Sequence, residues 1–327
     1  MPWTEISPLE ILRSQYSALP YPTTTWHGKT VIVTGANVGI GKETARHFVR
    51  LAASKVILAC RDVDKGNAAK EEIKTSLNNP QVVEVWHLDL SSFESVKDFS
   101  IRANGLARLD AIVENAGVMS TSFVQFEGFE QQITVNVIST FLLALLILPA
   151  LRRTATQYNV VPHIVVVSSD AHMYTNFRHR DAPDIFEALR GTDHMNDRYG
   201  DSKLLQILLT RELARQLSAS NKPQLILNSV SPGLCRSQLF RNAPWPVNWF
   251  MPISFFFLAR TPEMGSRVLL AAATAGANTH GKYLQDCELH AESRFVRSDQ
   301  GQRAQARVYE ELMRILDCIA TGIRNNI

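Results

Sequence analysis

Tyr199 and Lys203 lie four residues apart in the run Tyr-Gly-Asp-Ser-Lys. On a helix, side chains at positions i and i+4 share one face. A nearby ammonium group lowers the pKa of a phenol from ~10 toward the working pH. A phenol tuned in this way can give or take the proton of an alcohol while a nicotinamide carries the hydride. Because Tyr and Lys occur at this spacing by chance on many helices, the pair predicts redox acid–base chemistry only together with other signals.

A glycine-rich turn follows the apolar run Thr30–Thr34. Gly35, Gly39 and Gly41 form the pattern GxxxGxG, and a helical pattern comes directly after it. A strand that leads through glycines into a helix places free N–H groups at the positive end of the helix dipole, where phosphate binds. Glycine also lets the backbone approach a pyrophosphate without a Cβ in the way. The turn therefore predicts a dinucleotide site.

The end of the second predicted strand indicates which dinucleotide binds. An acid there would hydrogen-bond the ribose 2′-hydroxyl of NAD, whereas an arginine would accept the 2′-phosphate of NADP. Arg61 comes first and Asp62 follows it, so NADP(H) is favoured over NAD(H). We interpret Asp62 as an N-cap of the next helix. Asp89 and Leu90 lie after the third strand, where an adenine contact is expected, and an N-cap is the alternative for Asp89.

The elements that must position these residues alternate along the chain. Apolar or β-branched runs predict strands at Thr30–Thr34, Lys55–Cys60, Val82–His87, Ala111–Asn115, His163–Ser168 and Leu225–Ser231. Helical patterns lie at Ile6–Leu12, Lys42–Leu51, Asp64–Leu77, Ser92–Ala107, Gly128–Leu151, Asp201–Ala219 and about Gln302–Ala320. Alternating strands and helices predict an α/β fold with a doubly wound parallel sheet and helices on both faces.

Composition narrows the class of protein. The 327 residues are 45% hydrophobic and carry 34 Lys and Arg against 31 Asp and Glu, a net charge of +3. This composition excludes a disordered or collagen-like chain, and the small charge gives no reason to expect a nucleic-acid partner. The 4 cysteines form no CxxC pair and no HExxH occurs, so no metal site is predicted. Scattered thiols favour a reducing compartment, the cytoplasm.

Nine short motifs occur together in one order. They are TGANVGIG, LACRD, LDL, ENAG, EGFE, VNV, VVSSDAH, YGDSK and SPG. In this order they make the chain resemble the short-chain dehydrogenase/reductase family, and within it the retinol-dehydrogenase-like branch and its fungal relatives. The resemblance covers roughly Gly28 to Gln285. It implies a single Rossmann-type domain over residues 28–327, preceded by an N-terminal arm over residues 1–27.

The resemblance implies a role for each matching residue. Tyr199 would be the general acid/base, and Lys203 would tune it and hold the nicotinamide ribose. Ser169 would hydrogen-bond the substrate oxygen, with Ser168 as the alternative. Asn136 would order a proton-relaying water chain, or it would only cap an apolar stretch. Cofactor binding would fall to Gly35, Asn37, Gly39, Ile40, Gly41, Arg61, Asp89, Leu90, Asn115, Ala116, Gly117, Tyr199, Lys203, Pro232, Gly233 and Ser237.

The chain departs from the family pattern at three places. Glu114 stands where the family has the first Asn of NNAG. We expect its side chain to face away from the cofactor, and an acid at the end of a buried strand needs a partner. Ser139 replaces the family's glycine three residues after the helix asparagine. Thirty residues separate Ser169 from Tyr199, more than in most of the family, although retinol-dehydrogenase-like members also carry a long segment there.

Two segments follow strand ends, where open α/β sheets bind ligands. These are residues 170–198 and 234–261, which contain Met173, Tyr174, Phe177, Phe186, Trp245, Trp249 and Phe255–Phe257. Such aromatic loops predict a large apolar substrate pocket with few charges, and ordinary packing of a lid is the alternative. The stretch Trp245–Ala259 is either part of a lid or a patch that makes peripheral contact with a membrane.

Together these features predict an NADP(H)-dependent oxidoreductase that interconverts a ketone and a secondary alcohol on a bulky lipophilic small molecule. A ketoreductase is favoured, because a cell that keeps NADPH reduced drives ketone reduction, and the resemblance to fungal relatives implies a role in secondary metabolism. The alternatives are a catalytically silent nucleotide-binding protein and a non-redox isomerase or dehydratase on the same scaffold. The helix around Asn136–Leu151 is apolar nearly all round, and in the family it often packs at a dimer interface, so a homodimer is predicted.

Overall fold

The computed structural model describes residues 8–77, 81–236 and 258–327. Within them, eight strands form one sheet in the order β10-β9-β8-β7-β4-β1-β2-β3. Neighbouring strands are parallel, except that β10 runs antiparallel to β9. The strands are β1 (Thr30–Thr34), β2 (Lys55–Cys60), β3 (Val83–His87), β4 (Ala111–Glu114), β7 (His163–Val167), β8 (Ile226–Ser231), β9 (Tyr283–Gln285) and β10 (Glu288–His290). A separate antiparallel hairpin joins β5 (Gln125–Phe126) and β6 (Phe129–Glu130).

The central strands form as predicted because both of their faces are buried. In β1, Val31, Ile32 and Val33 are all fully buried, and Ile32 packs on one face of the sheet while its two neighbours pack on the other. The six predicted strands match the structure to within one residue at each end. The last two strands escaped prediction because each has only three residues.

Helices cover both faces, which confirms the predicted doubly wound α/β architecture. Residues of α4 (Phe93–Asn104), α6 (Ser139–Tyr158), α8 (Arg198–Ala219) and α11 (Asp299–Ile319) contribute to the core on one face. Residues of α2 (Gly39–Arg50), α3 (Val63–Leu77) and α9 (Pro262–Thr274) contribute to the core on the other. The shorter helices are α1 (Pro8–Gln15), α5 (Gln131–Ile133), α7 (Ile185–Ala188) and α10 (Arg294–Arg297).

The long apolar helix differs from its prediction at both ends. The hairpin β5–β6 delays its start to Gln131, and a π-helical segment, Thr134–Ile138, connects α5 to α6. The helix continues to Tyr158 and ends where Asn159 adopts a left-handed conformation with φ of 49°. Asn159 thus supplies the C-terminal stop that glycine usually gives.

This helix is buried by the chain itself. Residues Gln131–Tyr158 are long and apolar enough to cross a membrane, but 89% of the most apolar window is buried inside the protein. The C-terminal segment takes part in this cover, since Asn326 Nδ2 donates to Leu145 O at 3.1 Å and Arg152 donates to the Asn326 carbonyl. The prediction of a buried core helix is therefore confirmed.

The stretch Trp245–Ala259, predicted to be a lid or a membrane patch, lies mostly outside the described residues. Only residues 258 and 259 are described, and the described residues give no support to membrane contact.

The four cysteines, Cys60, Cys235, Cys287 and Cys318, are all free thiols. Within the described residues, no group of three or more His, Cys, Asp or Glu side chains is placed to hold a metal ion.

Candidate active site

One large cavity, of about 1640 Å³, lies at the carboxyl ends of the parallel strands. This is the edge at which open α/β sheets bind ligands. The predicted residues that line it are Gly35, Asn37, Gly39, Ile40, Gly41, Arg61, Asp89, Leu90, Asn115, Ala116, Gly117, Ser169, Tyr199, Lys203, Pro232 and Gly233. Asn136 lies behind the wall of this cavity, and Ser237 lies outside the described residues.

The glycine turn after β1 has the shape that a bound phosphate requires. A Cβ on Gly41 would lie 2.5 Å from Asn115 Nδ2 and 2.6 Å from Gly35 O, so only glycine fits there. Gly39, with φ of +60°, faces open space with nothing within 4 Å of where its Cβ would be. Helix α2 begins at Gly39, and its N-cap residue Val38 offers no side-chain acceptor to the first N–H groups. These unsatisfied donors beside an open space fit a dinucleotide pyrophosphate.

The end of β4 is tied to the end of β1. Asn115 Nδ2 donates to Thr34 O at 2.9 Å, and the backbone N–H of Ala116 donates to Thr34 Oγ1 at 2.9 Å. A Cβ on Gly117 would lie 3.2 Å from Asn136 Oδ1. The predicted cofactor residues of this turn therefore hold two strand ends together and bring the backbone close to the site.

The end of β2 presents a cation to the cavity. Arg61 is exposed and lines the cavity, while Asp62 turns to the next helix and accepts from Lys65 N at 3.0 Å. Asp62 also pairs with Lys65 Nζ at 2.8 Å, and its hydrogen bonds to Lys65 lower the pKa of the Asp62 carboxyl. This contact agrees with the interpretation of Asp62 as a cap of α3.

The turn after β3 places Asp89 and Leu90 on the cavity wall. Asp89 Oδ1 accepts from Ser91 N at 2.9 Å and from Ser91 Oγ at 2.7 Å. The N-cap of α4 is Ser92, whose hydroxyl accepts from Ser95 N. The alternative of Asp89 as an N-cap is therefore wrong, because Asp89 closes a local turn instead.

Ser169, Tyr199 and Lys203 converge at the centre of the cavity. Tyr199 lies in the first turn of α8, and Lys203 Nζ is 5.6 Å from the centre of its ring. The Ser169 side chain acts on the Tyr199 phenol and lowers its pKa. Ser168 is directed elsewhere, since its hydroxyl donates to the Lys203 carbonyl at 3.0 Å. This geometry favours Ser169 over Ser168 as the partner of a substrate oxygen.

Burial dominates the protonation of Tyr199 and Lys203. It raises the pKa of the Tyr199 phenol to about 12, although the hydrogen bond with Ser169 acts in the opposite direction. Burial also lowers the pKa of Lys203 to about 7. The ammonium was expected to lower the phenol pKa, and here it does not. Desolvation outweighs that attraction, and Lys203 Nζ donates to Val167 O at 2.9 Å rather than to the phenol.

A glutamine that sequence reasoning missed connects Lys203 to the helix opposite. Lys203 Nζ donates to Gln206 Oε1 at 3.1 Å, and Gln206 Nε2 donates to Asn136 O at 2.7 Å. All three residues are buried. Gln206 lies three residues after Lys203 on α8, so its i+3 spacing was the available signal.

Asn136 lies in the π-helical segment and hydrogen-bonds to two neighbouring parts of the chain, the turn after β4 and helix α8. Its Nδ2 donates to Val118 O at 2.9 Å and to Ser202 Oγ at 3.0 Å. Its Oδ1 accepts from Val118 N at 2.8 Å. Both sides of the amide are thus engaged, so Asn136 does more than cap an apolar stretch.

The two residues that depart from the family pattern are buried without hydrogen-bond partners among the described residues. Both carboxyl oxygens of Glu114 and the hydroxyl of Ser139 are in this state. Burial alone holds the pKa of Glu114 well above its usual value. The expectation that Glu114 has a partner is therefore wrong within the described part of the chain, where the raised pKa favours the neutral carboxyl over an unpaired buried charge.

The substrate side of the cavity has an apolar wall with acids at its rim. Val118, Met119, Phe126, Met173 and Tyr174 contribute to it, together with Asp170 and Glu292. Two aromatic residues expected in a lid, Phe177 and Phe186, pack in the core instead. For that pair the alternative of ordinary packing holds.

Three further lining residues come from the N-terminal arm. Arg13, Ser14 and Gln15 border the cavity beside the turn at Pro232 and Gly233. Sequence reasoning placed this arm outside the domain, because nothing in its residues indicates a contact more than 200 positions away.

Comparisons with known proteins agree with this geometry. A family model described as short chain dehydrogenase matches residues 29–179. A short chain dehydrogenase/reductase of Cryptosporiopsis sp. is 43% identical over 319 residues, 95% of this chain and 97% of the relative. A short chain dehydrogenase of Emericella nidulans is 45% identical over 278 residues, 84% of this chain and 88% of the relative.

Solved structures share the fold. An uncharacterised protein of Mycobacterium paratuberculosis superposes with a TM-score of 0.66 at 26% identity, covering 90% of this chain and 96% of that one. A short chain dehydrogenase from Shigella flexneri, complexed with NADP, superposes with a TM-score of 0.57 at 20% identity, covering 82% of this chain and 100% of that one.

Proposed function

Because this chain belongs to the short-chain dehydrogenase/reductase family, whose members bind a nicotinamide cofactor, we propose that it reduces a ketone to a secondary alcohol with NADPH. The observation that carries this proposal is the convergence of Ser169, Tyr199 and Lys203 in the cavity that the glycine turn also lines. The bound cofactor supplies the hydride.

Side chains of the protein supply the proton that the reduced substrate oxygen takes up. The Ser169 hydroxyl is placed to hydrogen-bond the substrate oxygen, because it lines the cavity together with Tyr199 and acts on the pKa of the phenol that must reach the same atom. The Tyr199 hydroxyl then gives its proton to the alkoxide that forms on that oxygen. Lys203 donates a hydrogen bond to Gln206, and the Asn136 carbonyl accepts one from Gln206, so the three residues hold one another in position beside Tyr199.

The protonation state of Tyr199 supports the direction of reduction. A phenol with a pKa of about 12 keeps its proton at neutral pH, so it is ready to act as an acid. Alcohol oxidation would need the phenolate, which is scarce at neutral pH under that pKa. The proposal is therefore ketone reduction at neutral pH, with oxidation of the alcohol at alkaline pH.

Two observations support NADP(H) over NAD(H). Arg61 lines the cavity after β2, and the Asp62 carboxyl beside it, which also lines the cavity, is engaged by Lys65. The acid that would hydrogen-bond a ribose 2′-hydroxyl is thus paired with a lysine, and the Arg61 guanidinium can bind a 2′-phosphate.

The apolar lining supports a bulky lipophilic substrate, and the likeness to fungal members supports a place in secondary metabolism. Met119, Phe126, Met173 and Tyr174 provide large apolar surfaces around the catalytic centre. Apolar walls of this kind bind apolar ligand surface, while a few polar groups fix the orientation of the ligand.

The decisive experiment measures NADPH consumption with a panel of ketones: α-tetralone, a decalone and a steroid ketone. We expect turnover by the wild type and a loss of at least a thousandfold in Tyr199→Phe, with NADPH affinity retained. Tyr158→Phe is the matched control, since Tyr158 lies at the far end of α6 and is partly exposed. Tight NADPH binding without turnover of any ketone would favour the silent binding protein. A product of unchanged oxidation state would favour an isomerase or dehydratase.

A second experiment tests the cofactor preference. Arg61→Asp should weaken NADPH binding at least tenfold and leave NADH binding unchanged or tighter. Arg102→Asp is the control, because Arg102 stacks on Trp86 and does not line the cavity. An Arg61→Asp variant with undiminished NADPH affinity would contradict the assignment.

The homodimer stays a prediction. Family members are commonly homodimers, but the apolar helix that suggested a dimer here is buried within the chain. A second copy is therefore not needed to cover it. Light scattering at micromolar concentration measures the state directly.

A further inference from the structure

Asp170 brings a carboxylate to the apolar wall of the cavity. It follows Ser169 directly and begins a short 3₁₀ helix, Asp170–Met173, after β7. Both Ser169 and Asp170 line the cavity, and the Asp170 side chain is partly buried there. The charge of Asp170 also raises the pKa of the Tyr199 phenol. This carboxylate therefore lies beside the residues to which we assign the ketone oxygen.

A buried phenol holds the Asp170 carboxylate in place. The Tyr283 hydroxyl donates to Asp170 Oδ1 at 2.6 Å, and the Tyr283 side chain is only 1% exposed. Burial and the charge of Asp170 hold the pKa of Tyr283 well above its usual value, so the phenol keeps the proton that it donates. His172 packs edge-on against the Tyr283 ring, with 5.0 Å between the ring centres, and its Nδ1 lies 2.7 Å from Ser169 O.

The other acids that line the cavity already have partners. Salt bridges join Asp62 to Lys65, Glu72 to Lys42, Asp286 to Arg260 and Glu292 to Arg211, and Asp89 closes a local turn.

Asp170 differs from these acids in having an oxygen to spare. It has no cation partner among the residues that the structure describes, and its bond from Tyr283 engages only Oδ1. Its Oδ2 accepts no hydrogen bond from the described residues, and it is not among the buried oxygens left without a partner. Oδ2 is therefore an accessible acceptor in the cavity.

We propose that Asp170 is a specificity-determining residue, whose Oδ2 accepts a hydrogen bond from a hydroxyl group that the ketone carries elsewhere on its lipophilic skeleton. This inference rests on the proposed function and names its substrate class, a hydroxylated lipophilic ketone. An apolar ketone that covers Asp170 leaves the carboxylate without a donor, which is costly, whereas a hydroxyl supplies one. Ser169 and Tyr199 then hold one polar group of the substrate and Asp170 another, which fixes its orientation.

The test compares α-tetralone with 5-, 6- and 7-hydroxy-1-tetralone. The wild type should reduce at least one hydroxy isomer with a kcat/KM at least tenfold above that for α-tetralone. Asp170→Asn keeps the shape and an acceptor for Tyr283 but turns an NH₂ group to the substrate, so the same ratio should fall to about threefold or less. Asp98→Asn is the matched control, because Asp98 is exposed on α4 and does not line the cavity; it should keep the wild-type ratio.

Two results overturn the proposal. One is a wild type that prefers no hydroxy isomer over α-tetralone. The other is an Asp170→Asn variant that keeps the wild-type ratio. Because each ratio is taken on a single protein, a general loss of activity in the variant cancels.

A second measurement needs no variant and decides the case in which Asp170→Asn does not fold. The hydroxyl of the preferred isomer is replaced by an amino group, which can still donate, or by a methoxy group, which cannot. The wild type should keep most of its preference for the amino ketone and lose that for the methoxy ketone. A methoxy ketone reduced as efficiently as the hydroxy ketone overturns the proposal.

A binding experiment separates this inference from the proposed function. If the wild type reduces no ketone, the proposed function fails, and calorimetric titration of 2-naphthol and 2-methoxynaphthalene in the presence of NADP⁺ decides the role of Asp170. The wild type should bind the naphthol at least tenfold more tightly than its methyl ether, and Asp170→Asn should not. Equal affinities of the wild type for the two compounds overturn the proposal.

Discussion

Replacing Glu114 by leucine should stabilise the protein and alter how its stability depends on pH. Glu114 ends β4, pairs in register with Val166 and is 3% exposed. Its carboxyl has no hydrogen-bond partner among the described residues, and burial holds its pKa well above the usual value. Leucine has a similar volume and no polar atom, so it removes the desolvation cost of an unpaired carboxyl, about 1–3 kcal/mol.

The sign of the pH effect follows from proton counting. Above pH ~4.5 the unfolded chain has released this proton, whereas the native chain keeps it until the pH reaches the raised native pKa. The native state thus binds one more proton than the unfolded state, and the free energy of unfolding falls as pH rises. One proton corresponds to about 1.4 kcal/mol per pH unit. Between pH ~4.5 and the raised native pKa, the advantage of Glu114→Leu over wild type should therefore grow as the pH rises.

Urea unfolding at half-unit pH intervals measures this difference. Subtracting the wild-type curve from that of Glu114→Leu removes contributions common to both proteins. Glu288→Leu is the control, because it deletes an exposed carboxyl on the edge strand β10; it should keep the wild-type slope. Parallel pH curves for wild type and Glu114→Leu would refute the reasoning, since they would mean that Glu114 ionises in the native state.

Three further predictions concern the cavity. Gly41→Ala should weaken NADPH binding more than tenfold, because its Cβ would meet Asn115 at 2.5 Å. Gly39→Ala should weaken NADPH binding as well, because its Cβ would enter the open space proposed for the pyrophosphate and its positive φ adds strain of about 1 kcal/mol; calorimetric titration of both variants checks this. Gln206→Leu should lower kcat about tenfold with ketone KM unchanged, because Lys203 loses one of its two acceptors, and steady-state kinetics measures it. Arg260→Met should lower the melting temperature and raise ketone KM together, because it breaks the buried pair with Asp286; thermal unfolding and kinetics on one preparation test both effects.

The sheet could be predicted because each central strand is marked in the sequence by its own apolar run. Runs such as Val31–Val33 are apolar at consecutive positions, which only a strand buried on both faces requires. Strands β9 and β10 carry no such run, and pairing across the sheet edge defines them. The first residue of the long apolar helix could not be predicted either, because the hydrophobic pattern does not distinguish the hairpin β5–β6 from the helix that follows.

The site was predictable where a motif fixes both residue and place. Tyr199 and Lys203 meet because four residues span one turn of α8, and Gly41 contacts Asn115 because both follow neighbouring strands. Protonation was not predictable in the same way. The i+4 spacing implied an ammonium that lowers the phenol pKa, but the cost of burying both groups depends on every element packed around them. That environment drives the pKa of Tyr199 up and that of Lys203 down.

Contacts between residues far apart in the sequence account for the part of the site that could not be predicted. They also distinguish a part of the cavity that local motifs specify from a part that they do not. The cofactor half is built by turns directly after β1, β2 and β4, so local motifs specify it. The part of the cavity beside α1 depends on Gln15 accepting from Leu234, 219 positions away, and on Arg260 donating to Ser14, 246 positions away. Because those contacts involve residues without a motif, no pattern in the sequence indicates them. On this reasoning, substitutions at Arg61 should change cofactor preference, whereas the contacts of α1 can be found only from the structure.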